Sequence, residues 1–327
     1  MLAFVLRRLL QSILVMLTVA LVAFVLFNYV GDPINSMVGQ DVSLADREAF
    51  RQQLGLNDPV VVRFARFVGQ FIGGNFGVSY RMQEPVGKLI AERLPASLEL
   101  SFVAALFALL AGVPMGVYTG LYPRRWLSRL MLSASLVGVS LPTFLIGILL
   151  IVLFSVVLPL LPSFGRGDVV KIGWWSTGFL TVSGLKALIM PAITLGLFQM
   201  TLIMRLVRAE MLEVLRTDYI KFARARGLTN HAVYFGHALR NTLVPVITIT
   251  GLQLGAIIAF SIITETVFNW PGMGLLFVQS LQFADIPVMA TYLVLIAFFI
   301  VIINLVADLL YFAVDPRLRS DLGARAI

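Results

Sequence analysis

The segment Ile286–Ala307 reads IPVMATYLVLIAFFIVIINLVA and contains no charged side chain. An α-helix rises 1.5 Å per residue, and about 20 predominantly apolar residues are needed to cross the hydrocarbon core of a bilayer. The length and the composition of this stretch therefore predict a membrane-spanning helix.

Five further charge-free runs precede it: Leu9–Gly31, Leu100–Pro123, Leu130–Gly165, Ala187–Met204 and Asn241–Thr264. Hydrophobic residues make up 59% of the 327 residues and charged residues only 13%, against about 25% in a soluble domain. This composition excludes an ordinary soluble globular protein. The six runs predict an all-α integral membrane protein with six transmembrane helices. Because Leu130–Gly165 exceeds one crossing, we expect its excess to lie at the outer membrane surface.

The positive charges predict the orientation of these helices. Arg7 and Arg8 precede the first apolar run, and Lys and Arg are enriched on the cytoplasmic side of membrane proteins. The N-terminus is therefore expected in the cytoplasm, and six crossings return the C-terminus to the same side. Most of the 25 Lys and Arg residues fall in segments that this topology places inside, so the net charge of +8 indicates topology rather than a nucleic-acid surface. A cleaved signal peptide is the alternative for the first run, although its apolar core would be shorter, about 7–15 residues.

Four regions follow from this topology. They are a first transmembrane helix in 1–31, an external, periplasmic-side subdomain in 32–95, a five-helix core in 96–315 and a cytoplasmic tail in 316–327.

The external parts have some predicted structure. In the subdomain, helices are expected at Leu44–Leu54 and Pro59–Ile72. A second external segment, Ser163–Lys186, carries Trp174 and Trp175, whose amphipathic rings suit the headgroup level of a membrane.

The residues for catalysis or metal binding are missing from the sequence. Gly87-Lys88 is the only Gly-Lys pair, and Met82 stands where a phosphate-binding loop needs glycine. His231 and His237 lack the i, i+4 spacing and the third ligand of a helical metal site. The absence of cysteine excludes disulfides and thiolate ligands. We therefore expect no catalytic residue, no metal site and no cofactor bound by this chain.

Ionisable residues are also missing from the centres of the apolar runs. Glu99, Arg205, Glu265 and Asp308 all lie at or near predicted helix ends. Ionisable groups inside a membrane usually mark proton or ion pathways, so the pattern disfavours a proton-driven carrier. It says less about sodium, because backbone carbonyls can hold that ion. If the protein moves a solute uphill, we expect the energy to come from a partner.

The longest predicted inner segment, Val207–Asn241, has the features of a helix–turn–helix across the inner face. Asp218–Arg226 predicts a short helix with an acid at its start and bases at its end, as the helix dipole favours. Gly227 follows, where a helix stop needs a residue that tolerates positive φ. Thr229 or Asn230 can cap a second helix that reaches Arg240.

The apolar residues of this segment predict a partner. They would be exposed unless another protein covers them, and large exposed apolar patches usually mark interaction surfaces. These residues are Tyr219, Phe222, Leu228, Val233, Tyr234 and Phe235. A solvated loop with ordinary topology charges is the alternative.

Two motifs lie in this segment, DYIKFARARGL at 218–228 and HALRNTLVPVIT at 237–248. The segment resembles the "EAA" loop of binding-protein-dependent ABC importer permeases. Only Ala223, Gly227 and Leu239 fit the general pattern of that loop. The departures are characteristic of the dipeptide/oligopeptide/nickel permease branch.

Further motifs of the same branch occur in order along nearly the whole chain. They are LRRLL at 6–10, GDP at 31–33, LGL at 54–56, GNFGVS at 74–79, PV at 85–86, RLPASLEL at 93–100, GVSLPTF at 138–144 and ETVFNWPGMG at 265–274. Order and spacing match the first-permease type, which carries an extra N-terminal helix and an external region.

The resemblance implies the type I ABC importer permease fold in the bacterial cytoplasmic (inner) membrane. Such a permease pairs with a second, homologous permease in the lipid bilayer. Two ATPase subunits, which hold ATP and Mg²⁺, bind below the pair, and an external binding protein delivers the solute. The segment 32–95 and the turn Phe268–Gly274 would face the binding protein or the outer mouth of the path.

The resemblance also implies an ATPase-coupling site. Its residues would be Asp218, Tyr219, Phe222, Ala223, Arg224, Arg226, Gly227, Leu228, His237, Leu239, Arg240 and Asn241. Gly227 would permit the turn, and Tyr219, Phe222, Ala223 and Leu228 would form the packing surface. Arg224 and Arg226 would pair with acids of the ATPase; topology anchoring is the alternative for both.

Four residues are candidates for the path or its gate. Pro142 interrupts the third run, where it acts either as a moving hinge or as a static kink. Gln199 and Gln253 supply polarity inside membrane runs. Glu265 either lines an outer gate or is a structural acid bonded to backbone near a bent helix.

The resemblance makes peptides the expected substrate. Nickel chelates, glutathione and other small polar solutes are alternatives that use similar permeases. An ion-coupled secondary transporter is a more remote alternative, and a membrane enzyme or scaffold has no catalytic residues to support it.

Overall fold

The computed structural model of the protein describes residues 2–26 and 58–314. Side chains are described at 6–26, 58–243, 245–247, 250–251 and 255–309. The helix expected at Leu44–Leu54 and the tail 316–327 lie outside these residues.

Ten α-helices make up most of the described chain. They are α1 Leu2–Val25, α2 Val60–Ile72, α3 Val86–Leu121, α4 Trp126–Ser140, α5 Thr143–Ile151, α6 Val182–Val214, α7 Asp218–Ala225, α8 Leu239–Val267, α9 Met273–Gln282 and α10 Ile286–Val314. The π-helical turn Val152–Val157 continues α5, and the π-helical turn Ala232–Ala238 leads directly into α8. A small antiparallel hairpin of β1 Val170–Ile172 and β2 Trp175–Thr177 is an addition to the all-α prediction.

In the described residues, four helices are long and apolar enough to cross a membrane, namely α1, α3, α6 and α10. The pair α4 and α5 forms a fifth, broken candidate. The predicted run Asn241–Thr264 lies in α8, whose side chains at 252–254 are among those outside the description. A mostly helical membrane protein with four or five apolar spans is therefore established.

The third apolar run is a broken helix pair, and its last residues, 158–165, lie beyond the end of the second helix. The axes of α4 and α5 differ in direction by 110°. Leu141 is extended at φ −87° and ψ 137°, as expected before a proline. Pro142 then precedes α5 at φ −57° and has no N–H to donate. The predicted bend at Pro142 is confirmed, and it is sharper than a kink inside one helix.

Helices α3 and α6 form the centre of the core through close backbone approach. A Cβ atom at Gly112 would lie 2.8 Å from the carbonyl oxygen of Met200, and one at Gly116 would lie 2.5 Å from Cβ of Val207. Gly120 repeats the pattern one turn further on. Small residues at four-residue spacing allow membrane helices to pack this closely.

Helix α3 also changes the predicted division of the chain. It begins at Val86 and runs through Pro95, so the boundary placed between residues 95 and 96 falls inside a helix. The predicted helix Pro59–Ile72 is confirmed as α2.

Helix α1 contacts α10 through an ion pair between the N-terminal part of α1 and the C-terminal part of α10. Arg8 donates to Asp308 at 3.0 Å in an ion pair. Phe24 of α1 packs edge-on against Phe64 of α2, with ring centroids 5.4 Å apart.

Candidate functional site

The connecting segment 215–241 follows α6 and contains the predicted docking residues. It is shorter than expected, because α6 continues to Val214 and includes the residues after Val207. Its first helix, α7, matches the predicted short helix and begins with Asp218. The side chains of Ile220 and Ala223, three positions apart, are buried and lie one above the other on the face that meets the core.

The opposite face of α7 is exposed. Tyr219 and Phe222 have exposed fractions of 41% and 63%. Both are large aromatic side chains on a helix whose other face is fixed by Ile220 and Ala223 in a cluster with Met211. The aromatic rings are therefore held outward by the packing beneath them.

Gly227 ends α7 in the predicted way. Its φ is +76°, a conformation that glycine adopts without steric penalty. Its N–H donates to the carbonyl oxygen of Arg224 at 2.9 Å, and the N–H of Leu228 donates to that of Ala223 at 3.3 Å. These two bonds form a Schellman motif, which fixes the direction of the chain after the helix.

The second helix of the segment is not a separate element. Of the two predicted caps, Thr229 is the one used, since its Oγ1 accepts from the N–H of Ala232 at 3.4 Å. The chain then continues without a break through Ala232–Ala238 into α8. The expected helix–turn–helix is thus a short helix joined to the first turns of a long one.

A hydrogen bond closes the segment on itself. Asn241 Nδ2 donates to the hydroxyl of Tyr219 at 2.7 Å, which links α7 to α8. Lys221 pairs with Asp218 at 2.8 Å, three positions apart and well exposed, so this pair contributes little to stability.

We define the docking face as the exposed aromatic and apolar side chains of the segment with the exposed arginines and the exposed His237 around them. Its members are Tyr219, Phe222, Leu228, Phe235, Arg224, Arg226, His237 and Arg240. The guanidinium of Arg226 lies 5.8 Å from the ring centre of Phe222. An apolar centre with a cationic border suits a protein partner that offers a pocket with acidic edges.

Four expected members of this surface face the protein itself. Ala223 and Val233 are buried in its core, and Tyr234 and Leu239 are half-buried against that core. Val233 faces inward because α8 packs on α6, a contact that residue type alone does not indicate. Asp218, Gly227 and Asn241 are exposed.

The described residues contain no group of three or more His, Asp or Glu side chains that could hold a metal ion.

The structure brings two of the four path candidates together. Pro142 and Gln199 line one cavity of about 320 Å³, together with Ile257 and Phe260 of α8. Glu265 does not line this cavity. The side chain of Gln253 lies outside the described residues.

Glu265 is a structural acid bonded to backbone, the second of the two roles considered for it. It is fully buried, and its Oε2 accepts from the N–H groups of Gly274 at 2.7 Å and Leu275 at 3.1 Å. Ser97 donates to its Oε1 at 2.6 Å and accepts from the N–H of Met273 at 2.7 Å. Carboxylate and hydroxyl oxygens thus satisfy the first N–H groups of α9, where a negative group is favoured.

We call Ser97, Glu265 and the start of α9 the cap network. Gly272 is required in it, since a Cβ atom there would lie 2.4 Å from Glu265 Oε2. Trp270 is also fully buried and donates through Nε1 to the carbonyl oxygen of Ala96 at 3.0 Å. The turn Phe268–Gly274 is expected to face the binding protein or the outer mouth of the path, and within it the side chains of Phe268 and Trp270 lie in the interior.

A buried ion pair adjoins this network. Arg166 donates to Glu99 at 2.6 Å, and their side chains are only 6% and 2% exposed. Trp175 Nε1 donates to the same carboxylate at 3.2 Å, so Trp175 does not lie free at a headgroup level. Trp174 is 69% exposed.

Sequence reasoning missed the roles of Ser97, Glu99 and Arg166. The first two lie in the RLPASLEL motif. That motif contributed to the family resemblance, but it did not indicate which residues Ser97 and Glu99 contact. Arg166 lies 67 residues from Glu99, and no local pattern connects them.

Several apolar spans define this protein as a membrane protein, and the docking face has the composition of a protein-contact surface. The chain belongs to the family of binding-protein-dependent transport system inner membrane components. The model of that family matches residues 112–320, and the model of its N-terminal region matches residues 1–101. The resemblance found in the motifs is therefore confirmed, and the protein is a multi-pass inner-membrane component of a transport system.

Two curated relatives match this chain over nearly the full length of both proteins. The chain is 38% identical to the oligopeptide transport system permease protein AppB of Bacillus subtilis, over 97% of this chain and 99% of the relative. It is also 38% identical to the di/tripeptide transport system permease protein DppB of Pseudomonas aeruginosa, over 98% and 100%.

A solved structure shares the fold. A chain of the inward-facing MetNI methionine ABC transporter superposes with a TM-score of 0.54 at 21% identity, over 69% of this chain and 96% of that one. At this identity the likeness establishes the architecture alone. Membership of the family further implies association with ATPase subunits and with a binding protein.

Proposed function

We propose that this chain is a permease subunit of an ATP-driven importer for di- and oligopeptides, and that it forms half of the translocation path. Its family and the peptide transport named in several relatives support this proposal. The chain itself would be a transport subunit without an ATPase site.

The observation that carries the proposal is the docking face. It presents Phe222, exposed to 63%, and Tyr219 on a helix held from below by Ile220. The segment also connects α6 to α8, and both line the cavity at Pro142 and Gln199. We therefore expect a displacement of α7 to move α6 and α8, the helices beside that cavity.

The proposed assembly has four kinds of partner. A second homologous permease would complete the path, and lipid would surround the spans. Two ATP-binding subunits would bind ATP and Mg²⁺ and contact the docking face. An external binding protein would deliver the peptide. Closure of the ATPases would rock the permeases between inward and outward openings.

The proposed topology has six crossings, with both termini in the cytoplasm. Helices α1, α3, α6, α8 and α10 would each cross once, and α4 with α5 would provide the broken crossing. The docking face then lies in the cytoplasm. The cap network, the hairpin β1–β2 and the subdomain within 32–95 lie on the external side.

The substrate is tested by uptake. Cells that lack this gene and every other peptide importer should take up a labelled dipeptide only after the gene is restored, and unlabelled tripeptide should compete. If peptide uptake is unchanged by the gene, the peptide assignment fails. Uptake of a nickel chelate or of glutathione would then be measured in the same pair of strains.

A further inference from the structure

A second surface, distant in sequence from the docking face, contains a groove lined by charged side chains. A groove of about 550 Å³ lies between the hairpin β1–β2 and the N-terminal part of α3. Arg93, Arg166, Lys171 and Trp174 contribute to its lining, with Glu92 at its edge. Glu99 neutralises Arg166, so the charge of the groove comes from Arg93 and Lys171 against Glu92 and remains positive.

The groove is preformed because its wall is anchored. Arg166 Nη1 donates to Ser176 Oγ at 3.0 Å, and Nη2 donates to the carbonyl oxygen of Ser176 at 2.6 Å. The buried pair of Arg166 with Glu99 ties this wall to α3. Trp174 packs edge-on against Trp175, with ring centroids 5.3 Å apart. The hairpin is therefore fixed before any partner arrives.

Hydrogen-bonding capacity remains unused in this groove. The Nε of Arg166 is buried and has no hydrogen-bond partner among the described residues, a condition that is rare in native proteins. The two other cations, Arg93 and Lys171, form no ion pair within the same described part of the chain. The buried Nε cannot itself reach into the groove, whereas Arg93 and Lys171 line it and can pair with an acceptor that comes from outside.

We infer that this groove receives a carboxylate-bearing loop of the external binding protein. The inference rests on the proposed function, which places the hairpin on the external side. A groove of this volume holds several side chains rather than one ion. Trp174 at its rim, exposed to 69%, is of a type that dominates protein–protein contacts together with Arg. Opposite charges on the two partners would guide the loop into place.

The first experiment measures docking of the peptide-loaded binding protein to the complete importer. The importer is reconstituted in nanodiscs of uncharged phosphatidylcholine, and the dissociation constant is measured at low and high salt. Lys171→Glu and Arg93→Glu should each weaken docking roughly tenfold at low salt, because an attraction becomes a repulsion. The difference should shrink at about 0.5 M salt, where exposed charges are screened.

Lys186→Glu is the matched control. Lys186 is an exposed cation on α6 near the same end of the molecule, and it does not line the groove. Its reversal changes the net charge equally and should leave docking within about twofold, as expected for a charge outside the contact. Equal effects of Lys171→Glu and Lys186→Glu would overturn the inference.

A second experiment identifies what occupies the groove. A photo-crosslinking amino acid at Trp174 of the reconstituted importer should capture the binding protein on a peptide that contains Asp or Glu. The same amino acid at Trp126, the first residue of α4, should not capture it, although Trp126 is 73% exposed. Capture of lipid alone from nanodiscs that contain anionic lipid would assign the groove to headgroups and contradict the inference.

The two proposals fail in different ways. If the wild-type importer does not dock the binding protein or respond to it with ATP hydrolysis, the proposed function fails, and the inference fails with it. If wild type docks and the groove variants dock equally well, only the inference fails.

Discussion

The cap network and the docking face both lie in motifs that resemble one permease branch, yet their side chains behave in opposite ways. Glu265 of the network is fully buried, and its bonds are made to the protein itself. Phe222 of the docking face is 63% exposed, although its neighbour Ile220 is buried. One motif completes the fold, and the other presents a surface. Variants of the first should therefore change stability, and variants of the second should change assembly.

The largest effect on stability is expected at the cap. Glu265→Ala removes the acceptor of two buried N–H groups and of Ser97, which should lower the free energy of unfolding by about 4 kcal/mol. Thermal unfolding of the purified protein in detergent measures this loss. Glu265→Gln keeps an acceptor oxygen and should lose about 1–2 kcal/mol. Equal losses for both variants would mean that hydrogen bonding is not the role of Glu265.

The buried ion pair should rank next. Glu99→Ala leaves the charge of Arg166 buried and unpaired, and we expect a loss of about 3 kcal/mol. Replacing both residues by methionine should restore most of that stability, because a buried pair is often no better than well-packed apolar side chains. A double variant as unstable as Glu99→Ala would show that the hairpin needs the polar contacts themselves.

Two glycines, one in each region, should separate steric from conformational effects. Gly272→Ala places a methyl group against Glu265 and Ser97 and should destabilise by about 2 kcal/mol. Gly227→Ala meets open space, so only its φ of +76° opposes the change, at about 1 kcal/mol. Chemical denaturation of both variants measures the order, and the reverse order would contradict the packing described at Gly272.

The sequence predicted features that depend on local physics. Apolar runs indicated the spans, Gly227 indicated the helix stop, and Pro142 indicated the bend. The spacing of Ile220 and Ala223, three residues apart, is also typical of one buried helix face. The family resemblance nevertheless led to the assignment of Ala223 to the exposed face.

Features that depend on distant contacts were not predictable in the same way. The partner of Glu99 lies 67 residues away in Arg166, and the partner of Ser97 lies 168 residues away in Glu265. The burial of Val233 follows from the packing of α8 on α6. From the sequence, Glu265 could be either a gate residue or a structural acid, and its hydrogen bonds to α9 favour the structural role.

The smallest effect on stability, and the largest on function, is expected at Phe222. Phe222→Asp changes a surface side chain and should alter the free energy of unfolding by no more than about 0.5 kcal/mol. It should still weaken binding of the ATPase subunits at least about tenfold, since exposed aromatic anchors carry much of the energy of an interface. Phe164→Asp is the control, because Phe164 is 61% exposed but lies outside the docking face.

The most direct test is the dissociation constant of the ATPase subunits from the complete permease pair in nanodiscs, measured for wild type, Phe222→Asp and Phe164→Asp. We predict weakened binding and loss of peptide-stimulated ATP hydrolysis for Phe222→Asp alone, with an unchanged melting temperature. Wild-type affinity and stimulation in Phe222→Asp would contradict the assignment of the docking face to the ATPase.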